Sequence, residues 1–135
     1  MSNMLSKSER KIVGLGLIIS AGLIFGAVLN FITYNASPSA PYGFYLRAPK
    51  LFEPKYIAFC LKAVHADAPF YHLACSPDRP HQTRILKQIA TVDPDQGYWV
   101  VSTHPQAIDS QVIGWITPDQ VRGHWVPFFT WGTTQ

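Results

Sequence analysis

Charge is scarce in this 135-residue chain: Asp, Glu, Lys and Arg supply 14% of it, and the 21 positions from Ile12 to Ile32 contain none of them. A water-exposed apolar run of that length aggregates unless lipid or a large core takes it up, which argues against an untethered cytosolic enzyme. Subtracting the run and the short basic head leaves about 100 residues of ordinary polarity, enough for one folded domain and no more. Cysteine is nearly absent, with two residues, which excludes a dense disulfide scaffold; the 9 glycines and 11 prolines show no period, which excludes a collagen-like chain; and 47% hydrophobic content excludes disorder. Basic clusters are missing outside the head, as is any recognisable nucleic-acid module. The pI near 9.0 therefore makes no case for DNA or RNA, and no nucleic-acid partner is expected.

What is present begins with the apolar run. An α-helix rises about 1.5 Å per residue, so roughly 20 apolar residues cross a hydrocarbon core of about 30 Å. Lys7, Arg10 and Lys11, against Glu9, put +2 of the net +3 before the run, and no basic residue follows it until Arg47. By the positive-inside rule the N-terminus stays in the cytoplasm and the C-terminal region is exported. The competing reading, a cleaved signal peptide releasing a secreted β domain, suits an apolar core of about 7–15 residues and a small-residue cleavage site. Pro41 just after Ala40 is a poor residue to follow such a site, and the core is too long. The expected organisation is a cytoplasmic head at 1–11, a transmembrane anchor at 12–34 and an exported β-rich domain at 35–135. Gly22 and Gly26 have the small-xxx-small spacing that lets helices approach closely.

After the anchor, Asn35–Gly43 is rich in Pro, Ser and Gly and cannot continue a helix, so a tight extended loop at the membrane surface is expected. Beyond it the pattern is short and β-like: Phe44–Arg47, Tyr56–Leu61, Arg84–Val92, Tyr98–Thr103, Val112–Ile116 and Val121–Phe129, with turn signals between them. A small, mostly antiparallel β domain follows. The stretch from Ala63 to Gln82 has no clear period. Cys60 and Cys75, with 14 residues between them, leave three readings open: a disulfide closing that irregular stretch, a zinc site using His65, His72 or His81, or two buried thiols.

One constellation carries chemistry. Two hydroxyls, Ser37 and Ser39, stand two positions apart; on an extended backbone they would face the same way and address one centre. Ser39 would then attack while Ser37, with the Ser39 backbone N–H, donates to the developing oxyanion. A partner lies in Arg84-Ile85-Leu86-Lys87-Gln88-Ile89-Ala90, where strand alternation puts Lys87 on the face of Ile85 and Ile89. Desolvation there disfavours the ammonium and leaves an amine able to take a proton from a serine. The bland readings are a Ser/Pro-rich linker and an edge-strand lysine that snorkels.

Together these residues resemble a known family. "NASPSAPYGFY" resembles the nucleophile segment of the signal peptidase I superfamily, closest to the conjugative-transfer peptidases of the TraF type. "RILKQIA" is similar to the general-base segment of that family, and "DSQVIGWITPDQVRG" to its closing box, through Asp109, Ser110, Gly114 and Gly123. The resemblance implies a membrane-anchored serine endopeptidase with Ser39 as nucleophile, Lys87 as general base and Ser37 at the oxyanion, and with no metal or organic cofactor. It implies structural roles for Pro41, Gly43, Asp109 and Ser110, and a signal-peptidase-like β domain. The implied partners are an exported precursor such as a pilin or transfer protein, added as a strand beside Lys87; inner-membrane lipid; and conjugation or type IV secretion components. The implied location is a bacterial inner membrane with the domain in the periplasm. A non-catalytic scaffold of a secretion complex is the alternative.

The chain departs from that family at Asp93-Pro94-Asp95-Gln96-Gly97, where a Gly-Asp turn is usual, at Ala107, where a Ser often holds the lysine, and at Gln111, where an Arg is common. Asp109 is expected to brace the fold, Tyr45 to pack against the nucleophile loop, and His104 and His124 to be isolated. Trp125–Trp131 has two readings, closure of the β core or, through Phe128, Phe129 and Trp131, residence at the bilayer interface.

Overall fold

A Ser6–Glu9 capping box starts the first helix, α1 (Lys7–Val28): the Ser6 hydroxyl accepts from the Glu9 N–H at 3.2 Å and the Glu9 carboxylate accepts from the Ser6 N–H at 2.6 Å. The structure is a computed structural model that describes residues 6–49, 53–78, 85–102 and 104–132, and it divides between Ile32 and Thr33 into two units. In the first unit α1 is long and apolar enough to cross a membrane. It stops earlier than the anchor boundary at residue 34 read from hydropathy. Asn30 takes the left-handed conformation (φ 59°), with Phe31 N–H bonded to Gly26 O and Asn30 N–H to Ala27 O. This is the Schellman arrangement, which Asn tolerates almost as well as Gly. Ile32 then folds back on Gly26, where an added Cβ would come within 2.7 Å of its Cδ1. The groove offered by that glycine is filled by its own chain.

The second unit is a six-stranded sheet built from β1 (Ile32–Asn35), β2 (Tyr42–Arg47), β3 (Tyr56–Phe59), β4 (Ile85–Asp93), β5 (Gly97–Val101) and β6 (Val121–Trp131), in the order β1-β2-β6-β3-β4-β5. The pairings β2–β6, β6–β3, β3–β4 and β4–β5 are all antiparallel. The expectation of a mainly β domain after one apolar helix therefore holds. Strand β6 is the spine: its first half pairs with β3 and its second half with β2.

Two expected elements are corrected. Val112–Ile116 is no strand; Ser110–Ile113 is a helical turn, α2, capped by Asp109, and Ile116 alone bridges Tyr98. The Asp109 carboxylate accepts the Gln111 N–H at 2.9 Å, which nucleates helix where alternating apolar residues suggested strand. Residues 32–34, assigned to the anchor by hydropathy, form β1, since the β-branched Ile32 and Thr33 suit a strand once Asn30 has ended the helix. Arg84, Thr103 and His81 lie outside the described residues.

Both faces of the sheet are covered. Tyr56 and Ala58 of β3 join Ala40, Tyr45, Leu86 and Trp125 on one face. Ile57 and Phe59, pointing the other way, join Leu61, Ile85, Val100 and Ile116. Gly43 lets β2 run close to β6: a Cβ there would strike the Phe129 carbonyl oxygen, and its φ of 139° excludes most side chains. Of the aromatic tail, only its first part closes the core. Trp125 is fully buried, whereas Phe128, Phe129 and Trp131 are exposed, the last two grouped with Tyr34 and Phe44.

Of the three cysteine readings the structure takes the first. Cys60 and Cys75 are bridged, with Cα atoms 4.9 Å apart. The irregular stretch inside the bridge holds two 3-10 turns, Ala63–His65 and Ala68–Leu73. A zinc site on these cysteines is overturned because their sulfurs are bonded to each other, and among the described residues no cluster of three His, Cys, Asp or Glu side chains could hold a metal ion.

Candidate active site

Ser37 and Ser39 do meet, but not as alternate residues of an extended strand. Residues 37–40 form a turn, and the two hydroxyl oxygens lie 2.7 Å apart in hydrogen-bond contact. What shapes the turn is Asn35, the buried last residue of β1. Its Nδ2 donates to the carbonyl oxygens of Ser37 and Ala40 at 2.9 Å and of Pro41 at 3.1 Å. Its Oδ1 accepts the Ser37 N–H at 3.2 Å and the Ser37 hydroxyl at 3.1 Å. Carbonyls on one side and an N–H on the other leave the amide only this orientation. Pro41 fixes the exit of the turn, and its carbonyl also accepts the Tyr45 hydroxyl at 2.7 Å. Tyr45 thus packs against the serine turn as expected, and burial pushes its phenol up.

Lys87 comes to the site by a different route. It lies on β4 opposite Ile57 of β3 and is 2% exposed, sharing its face with the buried Ile85 and the half-buried Ile89. Among the described residues no hydrogen bond or ion pair engages its amine, in particular none from Ser39. Loss of water pushes the amine down to about 8, opposed by the negative charge of Asp109. Burial without a partner is costly for a lysine.

The serine turn and Lys87 line one cleft of about 640 Å³. Phe70, Leu73, Leu86 and Ile108 make its walls apolar, and His104 and Ala107 reach it from the segment after β5. Ser102 in that segment donates to the Ser39 carbonyl at 3.4 Å. The Ser39 N–H donates to no group among the described residues, so it is free to meet a ligand oxygen. On β4, pairing with β5 begins at Gln88↔Val101; among the described residues Ile85, Leu86 and Lys87 pair with β3 on one side and with no strand on the other. Among the described residues the cleft thus presents two hydroxyls, an amine whose pKa burial lowers, and a strand edge without a partner.

The remaining predicted residues support this frame. The Ser110 hydroxyl, 1% exposed, accepts the Val100 N–H at 2.8 Å and ties α2 to β5. Asp109 braces α2 and sets the local charge at Lys87. The Asp93 carboxylate makes the β4–β5 turn by accepting the Asp95 and Gln96 N–H groups, so an Asx turn stands where a Gly-Asp turn is usual. His104 and His124 are not isolated: the first lines the cleft, and the second is hydrogen-bonded to the Tyr98 hydroxyl at 2.8 Å. Sequence reasoning missed Asn35, Phe70, Leu73 and Ile108. Asn35 carried a usable signal, a polar residue closing a strand just before a Ser/Pro turn. The others depend on the tertiary path of the disulfide loop and of the segment after β5. Comparison of the chain with protein-family models, curated proteins and solved structures found no match.

Proposed function

We propose that this protein is a membrane-anchored serine endopeptidase of the signal peptidase type, with Ser39 and Lys87 as its catalytic pair. The observation that carries the reading is a buried lysine, without a partner among the described residues and pushed down to about 8, in the same cleft as a serine turn held by a dedicated side chain. Ser39 Oγ attacks the scissile carbonyl while its proton passes to Lys87 Nζ. The Ser39 N–H donates to the oxyanion, joined by the Ser37 hydroxyl once it turns its one proton away from Asn35 Oδ1. The Lys87 ammonium then protonates the leaving amine, and water, deprotonated by the same amine, releases the acyl group. For this the Ser39 hydroxyl must exchange Ser37 for Lys87. The substrate is an exported precursor, such as a pilin or conjugative-transfer protein, laid as an added strand along Ile85–Lys87. With the basic head in the cytoplasm of a bacterial cell, α1 anchors the domain on the periplasmic side of the inner membrane.

Processing of candidate exported precursors in membranes by wild type, Ser39→Ala and Lys87→Ala tests the reading. Both variants should stay folded and lose cleavage; equal processing by all three contradicts it. One observation favours a second reading, a non-catalytic scaffold of a secretion complex: the Ser39 hydroxyl is bonded to Ser37 and not to Lys87. Catalytic hydrogen bonds often form only with substrate bound, so the peptidase reading is preferred.

A further inference from the structure

The hydrogen bonds of the serine turn run in one direction, and a single side chain fixes it. Asn35 Nδ2 donates to three carbonyl oxygens, those of Ser37, Ala40 and Pro41, so the amide cannot be flipped and its Oδ1 is the atom that faces Ser37. Oδ1 can only accept. Its 3.1 Å contact with Ser37 Oγ is therefore made by the Ser37 hydroxyl proton, just as its 3.2 Å contact with Ser37 N is made by the backbone N–H. A hydroxyl has one proton to give. With that proton on Asn35, the 2.7 Å contact between the two serine oxygens is made by the proton of Ser39, and the chain runs from Ser39 to Ser37 to Asn35. The candidate nucleophile thus donates to a neighbour that is no base. Lys87, in the same cleft, has no hydrogen bond among the described residues.

We infer that Ser37 is a positioning residue that locks the pair at rest: it holds the Ser39 proton away from Lys87 until the oxygen of a bound acyl group draws the Ser37 proton off Asn35. The inference rests on the peptidase reading and adds a control on the same site. Release follows from the count of protons and lone pairs. An oxyanion formed at the carbonyl that Ser39 attacks lies on the Ser39 side of the turn, beside the Ser39 N–H. When Ser37 turns its proton to that side, the lone pair that accepted from Ser39 turns away, and the Ser39 proton needs a new acceptor. His104 also lines the cleft, but its Nδ1 already accepts the Gln106 N–H at 3.3 Å, which leaves the ring proton on Nε2. Lys87 is the base that remains. One substrate atom thus gains a donor and frees the attacking hydroxyl in the same movement.

The lock is tested without substrate, through the coupling of Ser39 to Lys87. In the full chain held in detergent micelles, lysines labelled with carbon-13 at Cε are titrated by NMR, and the Lys87 signal is identified by its loss in Lys87→Met. With Ser37 in place, Ser39→Ala should leave the Lys87 midpoint unchanged, because the two side chains do not meet at rest. Ser37→Ala keeps the backbone N–H on Asn35 Oδ1, and so keeps the turn, but removes the acceptor of the Ser39 proton. Ser39 then meets Lys87. A hydroxyl oxygen holds an ammonium more strongly than a hydroxyl proton holds an amine, so the midpoint should rise by about half a pH unit or more. Adding Ser39→Ala to Ser37→Ala should return it, and Ser37→Thr, which keeps a hydroxyl, should behave as wild type; an unchanged melting temperature shows that each variant is folded. The lock is overturned if Ser39→Ala alone moves the midpoint, if Ser37→Ala does not, if the double variant fails to restore it, or if Ser37→Thr acts like Ser37→Ala. Cleavage of exported precursors by the wild-type chain is scored separately. The predicted coupling with no cleavage leaves the lock standing and removes the peptidase reading, and cleavage without the coupling does the reverse.

Discussion

The two halves of the candidate site are made in opposite ways. The serine turn is held by polar contacts over seven residues of chain, from Asn35 to Pro41, with one buried amide supplying hydrogen bonds to three carbonyls, an N–H and a hydroxyl. Lys87 is held by apolar packing on a strand paired with distant β3, and its amine has no polar partner among the described residues. The difference matches what the proposed roles would require. An attacking oxygen needs direction, which hydrogen bonds give; a basic amine needs a lowered pKa, which dehydration gives. A lysine fastened by a carboxylate at contact distance would be well placed and inert. Asp109 acts from outside ion-pair contact, and dehydration wins.

The contrast yields predictions of graded size. Ser39→Ala and Lys87→Met should each lower processing by about 10³-fold or more. Their stabilities should differ: Lys87→Met replaces a buried amine, unpartnered among the described residues, by an apolar chain of similar shape and should raise the thermal midpoint, while Ser39→Ala should leave it nearly unchanged. A fall in the midpoint of Lys87→Met, measured by thermal unfolding, would break the comparison. Asn35→Ala should come next, with about 10²-fold loss of activity from a misplaced turn and a cost of about 1–3 kcal/mol for stranded carbonyls. A loss borne by KM alone would show that the turn needs no such clamp. Replacing both cysteines by serine should lower stability by about 3 kcal/mol, read by denaturant unfolding, and leave the serine turn in place.

The smallest effects concern proton supply. Below pH about 8 the Lys87 amine is an ammonium and cannot accept the Ser39 proton; above it the amine is neutral, so activity should rise with pH through a midpoint near 8. Asp109→Asn removes the charge that opposes dehydration and should move that midpoint downward. A midpoint that moves upward in this variant would show that Asp109 acts on Lys87 in some other way.

Much of this was legible in the residues. The uncharged run Ile12–Ile32 announced a helix long and apolar enough to cross a membrane, the Ile85-x-Lys87-x-Ile89 alternation announced a lysine on an apolar face, and Tyr45 was placed against the serine turn. These are periodic or local signals, and nearby residues suffice to read them. The misreadings have local causes too. Asn30 and Asp109 redirected the backbone by a left-handed cap and a helix cap, so a strand at 32–35 and a helical turn at 110–113 replaced the elements that hydropathy suggested. Asn35 was overlooked because its partners, the carbonyls of Ser37, Ala40 and Pro41, are common to every residue type. The Phe70–Leu73 wall was beyond reach for another reason. It depends on Leu61, Leu73 and Ile85 meeting across the core, a long-range contact that no short window contains.

The central claim is that a dehydrated Lys87 activates Ser39, and site-mapped acylation tests it without a known substrate. The full chain in micelles is treated with an acylating electrophile across a range of pH, and the modified residue and its rate are read by peptide mass spectrometry. The account predicts labelling of Ser39 with a rate that rises through pH about 8 and collapses in Lys87→Met. Labelling of Ser39 at the same rate and with the same pH profile in Lys87→Met would contradict it.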